Sequence, residues 1–149
     1  MVTPYEKLLA SLARAEVKFV VVGGVAVALN GFVRTTDDVD ILIERSAENV
    51  AHLLEALGSF GAGHARELSF ADFDDAEGAV RVIEDFPLDI FTVMRGHRYG
   101  DVIDSVGRTE VDGVAIKFLN ADGLIRLKQD SAREKDQIDI AALRRANLK

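Results

Sequence analysis

Val20 to Ile43 reads VVVGGVAVALNGFVRTTDDVDILI. The nearly continuous β-branched run from Val17 to Val22 suits a strand buried on both faces. It stops at Gly23-Gly24, and the stretch from Gly24 to Asn30 reads as a short helix closed by Asn30-Gly31. A loop over 32–37 then feeds a second strand, 38–43. Thirteen residues separate Gly24 from Asp38. Strand side chains alternate, so Asp38 and Asp40 project from one side while Val39, Ile41 and Ile43 project from the other. Two carboxylates ~4 Å apart repel by roughly 4 kcal/mol at an effective dielectric near 20, so keeping both ionised calls for a cation. The glycines at the strand-to-helix turn expose backbone N–H groups at a positive helix end, a seat for phosphate. A dication site beside a polyphosphate seat is the equipment of an enzyme that uses nucleoside triphosphates.

Outward from this core the punctuation is regular. Thr3-Pro4-Tyr5-Glu6 is a capping box with proline at the first helical position, and Leu8, Leu9 and Leu12 form the stripe of a helix to about Ala15. Ser46 caps a helix to about Leu57, which the glycine-rich stretch 58–63 ends. Strands are expected over 67–73, 79–83 and 88–93, with a turn at 74–78 and Pro87 at a strand start. Asp112-Gly113 is a two-residue hairpin signal between strands over 109–111 and 114–118. Asn120 caps a helix to about Gln129, and Ser131-Ala132-Arg133-Glu134 is a second capping box opening a final helix to about Arg145. With no internal repeat or linker, the expectation is one domain over 1–149. Its class is α+β, a mixed β-sheet flanked by helices, with the two last helices packed against it.

Bulk properties narrow the classes. At 149 residues with 48% hydrophobic and 29% charged content, the chain fits a single globular core. It has no apolar run near the ~20 residues that span a membrane, and its start lacks the pattern of a signal peptide. A cytoplasmic protein with no membrane partner is the expectation. The absence of cysteine excludes disulfides and thiolate zinc sites. A net charge of −7 argues against indiscriminate nucleic-acid binding. Residues 124–149 nevertheless carry a net +3 against −10 for the rest. That basic end reads either as a phosphate contact or as a solvated helix face.

Val22-Gly23-Gly24, the spacer, and Asp38-Val39-Asp40-Ile41 together resemble the signature of the DNA polymerase β-like nucleotidyltransferase superfamily. Arg34-Thr35-Thr36-Asp37-Asp38-Val39-Asp40 and the later series Lys128, Arg133, Lys135-Asp136 and Asp139 resemble its small bacterial toxin-type and abortive-infection branch. The resemblance runs from about Phe19 to Leu143. It implies metal-dependent transfer of a nucleoside monophosphate from an NTP, ATP among them, to a hydroxyl of RNA, protein or a small molecule, with release of pyrophosphate. It also implies Mg²⁺ or Mn²⁺ held by Asp38, Asp40 and a third acid on a neighbouring strand. Asp89 is the choice, because an acid inside the apolar run Pro87-Leu88-Asp89-Ile90-Phe91 is costly unless paired or metal-bound. Its alternative is an edge-strand aspartate facing water. Asp85 lies outside that run.

The same resemblance implies nucleotide contacts for Gly23, Gly24, Arg34, Thr36, Lys128 and Asp136. Three of them have a plainer reading: a surface lysine for Lys128, a salt bridge for Asp136, a loop hydrogen bond for Thr36. Gly24 stands where a serine is often seen, which removes a hydroxyl donor but keeps the backbone one. No Gly-Lys-Ser/Thr follows the glycines, which excludes a Walker-type loop, and the third glycine of a dinucleotide fingerprint is missing. A rival of another class is a catalytically silent binding module, such as one half of a toxin–antitoxin pair. The three acids speak against it and the short chain for it. Partners beyond NTP and acceptor would be an antitoxin or a second copy.

Overall fold

Leu12 lies four and three residues beyond Leu8 and Leu9, and all three are buried on one side of α1 (Pro4–Arg14). The structure is a computed structural model and describes residues 4–31, 38–84, 86–128 and 144. After α1 come β1 (Phe19–Val22), with all four residues buried, α2 (Gly23–Leu29), β2 (Val39–Ile43) and α3 (Ala47–Gly58). The Ser46 hydroxyl accepts from the Asn49 amide at 3.1 Å, the cap that opens α3. Next are β3 (Ala79–Ile83), β4 (Pro87–Phe91), β5 (Val93–Met94), β6 (His97–Arg98) and the single turn α4 (Tyr99–Val102). Strands β7 (Val106–Val111) and β8 (Val114–Leu119) and helix α5 (Ala121–Lys128) complete the order.

Six strands form one mixed sheet in the order β3-β4-β2-β1-β8-β7, and β5-β6 make a separate two-stranded ribbon. β2 runs parallel to β4 and antiparallel to β1, while β1 and β8 are parallel. The architecture is the expected α+β one. On one face Val39, Ile41, Ile43, Leu88 and Ile90 are buried in the same cluster as the stripe of α1 and Val50, Leu53 and Leu57 of α3. On the other face α2 lies over β1 and β2 and touches α5. The edge strand β3 and its neighbour β4 keep that second face more open, with Phe91 half-buried and Arg81 exposed. A row of polar side chains can stand there.

Local signals account for most boundaries. Asp112 and Gly113 both take positive φ, 49° and 80°, as a two-residue hairpin turn requires. Asn120 accepts from the Gly123 amide at 2.9 Å and opens α5.

Two expectations fail. Residues 67–73 are not a strand but two short 3₁₀ turns, His64–Glu67 and Phe70–Asp72. There the Ser69 amide donates to the Asp72 carboxylate at 2.8 Å, local bonding that competes with a ladder. The strand expected over 88–93 ends at Phe91, and Val93-Met94 turn off into the β5-β6 ribbon. The short helix α4 carries no advance signal.

The final helix expected over 131–145 lies outside the described residues, save Arg144, which is helical. Asp85 is outside them as well. No helix among the described residues is long and apolar enough to cross a membrane.

Candidate active site

Strand register builds the site. Val22 of β1 pairs with Asp40 of β2, Asp40 with Asp89 of β4, and Asp89 with Arg81 of β3. Paired residues on adjacent strands share a face, so these four side chains form a row across the sheet. Asp38, two residues before Asp40, joins them. Asp38, Asp40 and Asp89 each offer a carboxylate oxygen, and these atoms lie within 4.8 Å of one another. At that separation and an effective dielectric near 20, each pair of charges repels by about 3–4 kcal/mol. The cluster therefore needs positive charge close by.

Arg81 supplies part of it. Its Nε donates to Asp89 Oδ1 at 2.8 Å and its Nη2 to Asp89 Oδ2 at 2.9 Å, a two-pronged fork. The same Nη2 reaches Asp38 Oδ2 at 3.3 Å. Hydrogen bonding to Asp89, then the charges of Asp89, Asp38 and Asp40, push the guanidinium above its ordinary pKa, so Arg81 is a permanent cation. The Arg81 side chain is half exposed, whereas that of Asp89 is 11% exposed. Asp89 sits on an interior strand, between β3 and β2, which overturns the reading of an edge aspartate facing water.

Gly23 packs directly against Asp40. It has φ of +68°, and a Cβ built on it would fall 2.1 Å from Asp40 Oδ2. A side chain there would be strained and would also occupy the space of the carboxylate. The double glycine is thus joined physically to the acidic pair thirteen residues further on. Three carboxylates with no nitrogen or sulfur donor make a hard oxygen set, which fits Mg²⁺ or Mn²⁺.

Of the residues singled out from sequence, Gly23, Asp38, Asp40 and Asp89 come together. Gly24 follows Gly23 in the first turn of α2. Lys128 is the last residue of α5. The Lys128 side chain, Arg34, Thr36 and Asp136 lie outside the described residues, as do Arg133, Lys135 and Asp139. Arg126 donates to the Ser105 hydroxyl at 2.6 Å, an engagement within the fold. Sequence reasoning missed Arg81. The signal was present: Ile83 pairs with Pro87 across a three-residue connection, and moving two positions away from the turn, back on β3 and forward on β4, sets Arg81 opposite Asp89.

Comparison with known proteins gives the family and the fold. A family model described as "Nucleotidyl transferase of unknown function (DUF2204)" matches residues 1–149. Among solved structures, the chain is similar to an antigenic nucleotidyltransferase-like protein from Paracoccidioides brasiliensis. The TM-score is 0.55 at 20% identity, over 93% of this chain and 72% of the other, a likeness of fold. No curated protein matches the chain.

Proposed function

The chain belongs to the nucleotidyl transferase family of unknown function, and from that premise we propose that it is a metal-dependent enzyme. It moves a nucleoside monophosphate from an NTP to a hydroxyl acceptor. The observation that carries the reading is the convergence of Asp38, Asp40 and Asp89 within 4.8 Å beside Gly23. Asp38, Asp40 and Asp89 would hold Mg²⁺ or Mn²⁺. When bound, the metal supplies Lewis-acid stabilisation of charge on the α-phosphate and lowers the pKa of the acceptor hydroxyl.

The chain's own groups do the rest. Backbone N–H groups at Gly23 and Gly24 face the triphosphate, with Lys128, Arg34 and Thr36 as further phosphate contacts and Asp136 orienting Lys128 or a nucleotide group. Asp89 accepts the acceptor hydroxyl's proton as its oxygen bonds to the α-phosphorus, and the bond to the β-phosphate oxygen breaks to release pyrophosphate. Acceptor chemistry spans an RNA end, a protein side chain or a small-molecule hydroxyl. Incubation with each α-labelled NTP and a cell extract tests the proposal. Metal-dependent transfer of label is expected, and no transfer with any of the four nucleotides contradicts it.

A second reading has one observation in its favour. The Arg81 fork already neutralises Asp89 and touches Asp38, so a catalytically silent module, such as a toxin–antitoxin component, would need no metal to hold these acids together.

A further inference from the structure

We propose that Arg81 is an exchangeable occupant of the metal site. Its guanidinium bridges Asp38 and Asp89 and must leave when the dication binds. The inference rests on the metal-dependent reading above and extends it to a residue for which that reading has no role.

Nη2 of Arg81 makes hydrogen bonds to two different carboxylates, 2.9 Å from Asp89 Oδ2 and 3.3 Å from Asp38 Oδ2. A cation shared by Asp38 and Asp89 would occupy the same gap. A dication there would face a positive guanidinium at contact distance, and like charges so close repel strongly. The two cannot share the position.

The placement also lets Arg81 leave. It stands on β3, the outermost strand of the sheet, and about half of its side chain is exposed. Its long stem can swing outward without disturbing the apolar face, where Val82, the next residue, is buried. Asp89 is held differently, on an interior strand and largely buried. The carboxylate is therefore the fixed partner and the guanidinium the movable one. While bound, Arg81 offsets the mutual repulsion of the acids and holds Asp89 facing Asp38. Once displaced, it stands at the rim of the site as a free guanidinium, the geometry that grips phosphate oxygens.

A site closed by its own side chain binds metal with an affinity reduced by the fraction of molecules in which it is open. Arg81→Met keeps the apolar stem and removes the charge. Calorimetric titration of Mn²⁺ into the nucleotide-free protein at fixed ionic strength should show about tenfold or greater tightening in Arg81→Met. The rise in Tm on adding Mn²⁺ should likewise be larger in the variant, although its metal-free Tm is lower. Should Arg81→Met not fold, Arg81→Gln carries the same test, because it keeps a donor without the charge.

Equal or weaker Mn²⁺ binding in the variant overturns the exchange, weaker binding identifying Arg81 as a support for Asp89 instead. In that event wild-type binding still upholds the metal site. Binding by neither protein removes the metal site and the exchange together. Binding by the variant alone supports the exchange and places the wild-type equilibrium far toward the closed form.

Discussion

Substituting Gly23 by alanine tests whether the double glycine exists to admit Asp40. The added Cβ would fall 2.1 Å from Asp40 Oδ2 and 2.9 Å from its Cγ, against 3.4 Å or more for an ordinary contact. The oxygen must therefore retreat by about 1.3 Å. Rotating the aspartate side chain clears the oxygen, and Asp40 Cβ, 3.0 Å away, needs to give by only a few tenths of an ångström, so the contact adds the smaller part of the loss of fold stability. The backbone adds more, because alanine at φ of +68° costs about 1–2 kcal/mol, or roughly 2–8 °C in Tm for a chain of this size.

Gly113→Ala provides the control. It has φ of +80° and open space around the added Cβ, so it carries the conformational cost without touching the site. Both variants should lose similar Tm. Only Gly23→Ala should lose Mn²⁺ affinity, by about 10–100-fold, since a ligand moved more than ~1 Å leaves a coordination sphere of ~2.1 Å. Transfer activity should fall by about 100-fold. Wild-type Mn²⁺ affinity in Gly23→Ala would refute the coupling of glycine to carboxylate.

Three further outcomes are expected. Asp38→Asn or Asp40→Asn should retain the fold, checked by circular dichroism, and lose transfer by on the order of 10³-fold, about 4 kcal/mol of transition-state stabilisation. Undiminished transfer removes these residues from the metal site. Lys128→Ala should raise KM for NTP with a smaller change in kcat, as steady-state kinetics would read, and an unchanged KM dismisses it as a phosphate contact. Arg126→Ala should leave KM unchanged while lowering stability by about 1 kcal/mol in urea unfolding, since its partner is the Ser105 hydroxyl. A rise in KM there would reassign it to the nucleotide.

Much of this architecture was readable in the chain because local signals and periodicity agreed. Pro4, Ser46, Asp112-Gly113 and Asn120 mark turns and caps whose chemistry is complete within a few residues, and each stands where it was expected. Asp38 and Asp40 were readable as a pair because alternation alone fixes their common face. Asp89 was readable as the wrong kind of residue for a buried strand, but its position opposite Asp40 depends on a parallel register between strands far apart in sequence. Arg81 was missed for a related reason: an exposed arginine on an outer strand is unremarkable until cross-strand pairing sets it beside an acid. The stretch 67–73 misled because Phe70 and Phe73 look like strand residues. In the fold Phe73 is buried, while the exposed Phe70 lies under Arg45, whose Cζ is 4.5 Å from the ring centroid.

A dication held jointly by Asp38, just before β2, Asp40 of β2 and Asp89 of β4 is open to direct measurement. Crystals grown with Mn²⁺ and a non-hydrolysable NTP, measured at the manganese absorption edge, address it directly. Anomalous density is expected within bonding distance of Asp38, Asp40 and Asp89, with the guanidinium of Arg81 swung away from Asp38. Manganese bound elsewhere, or none at saturating concentration with the Arg81 fork intact, would contradict it.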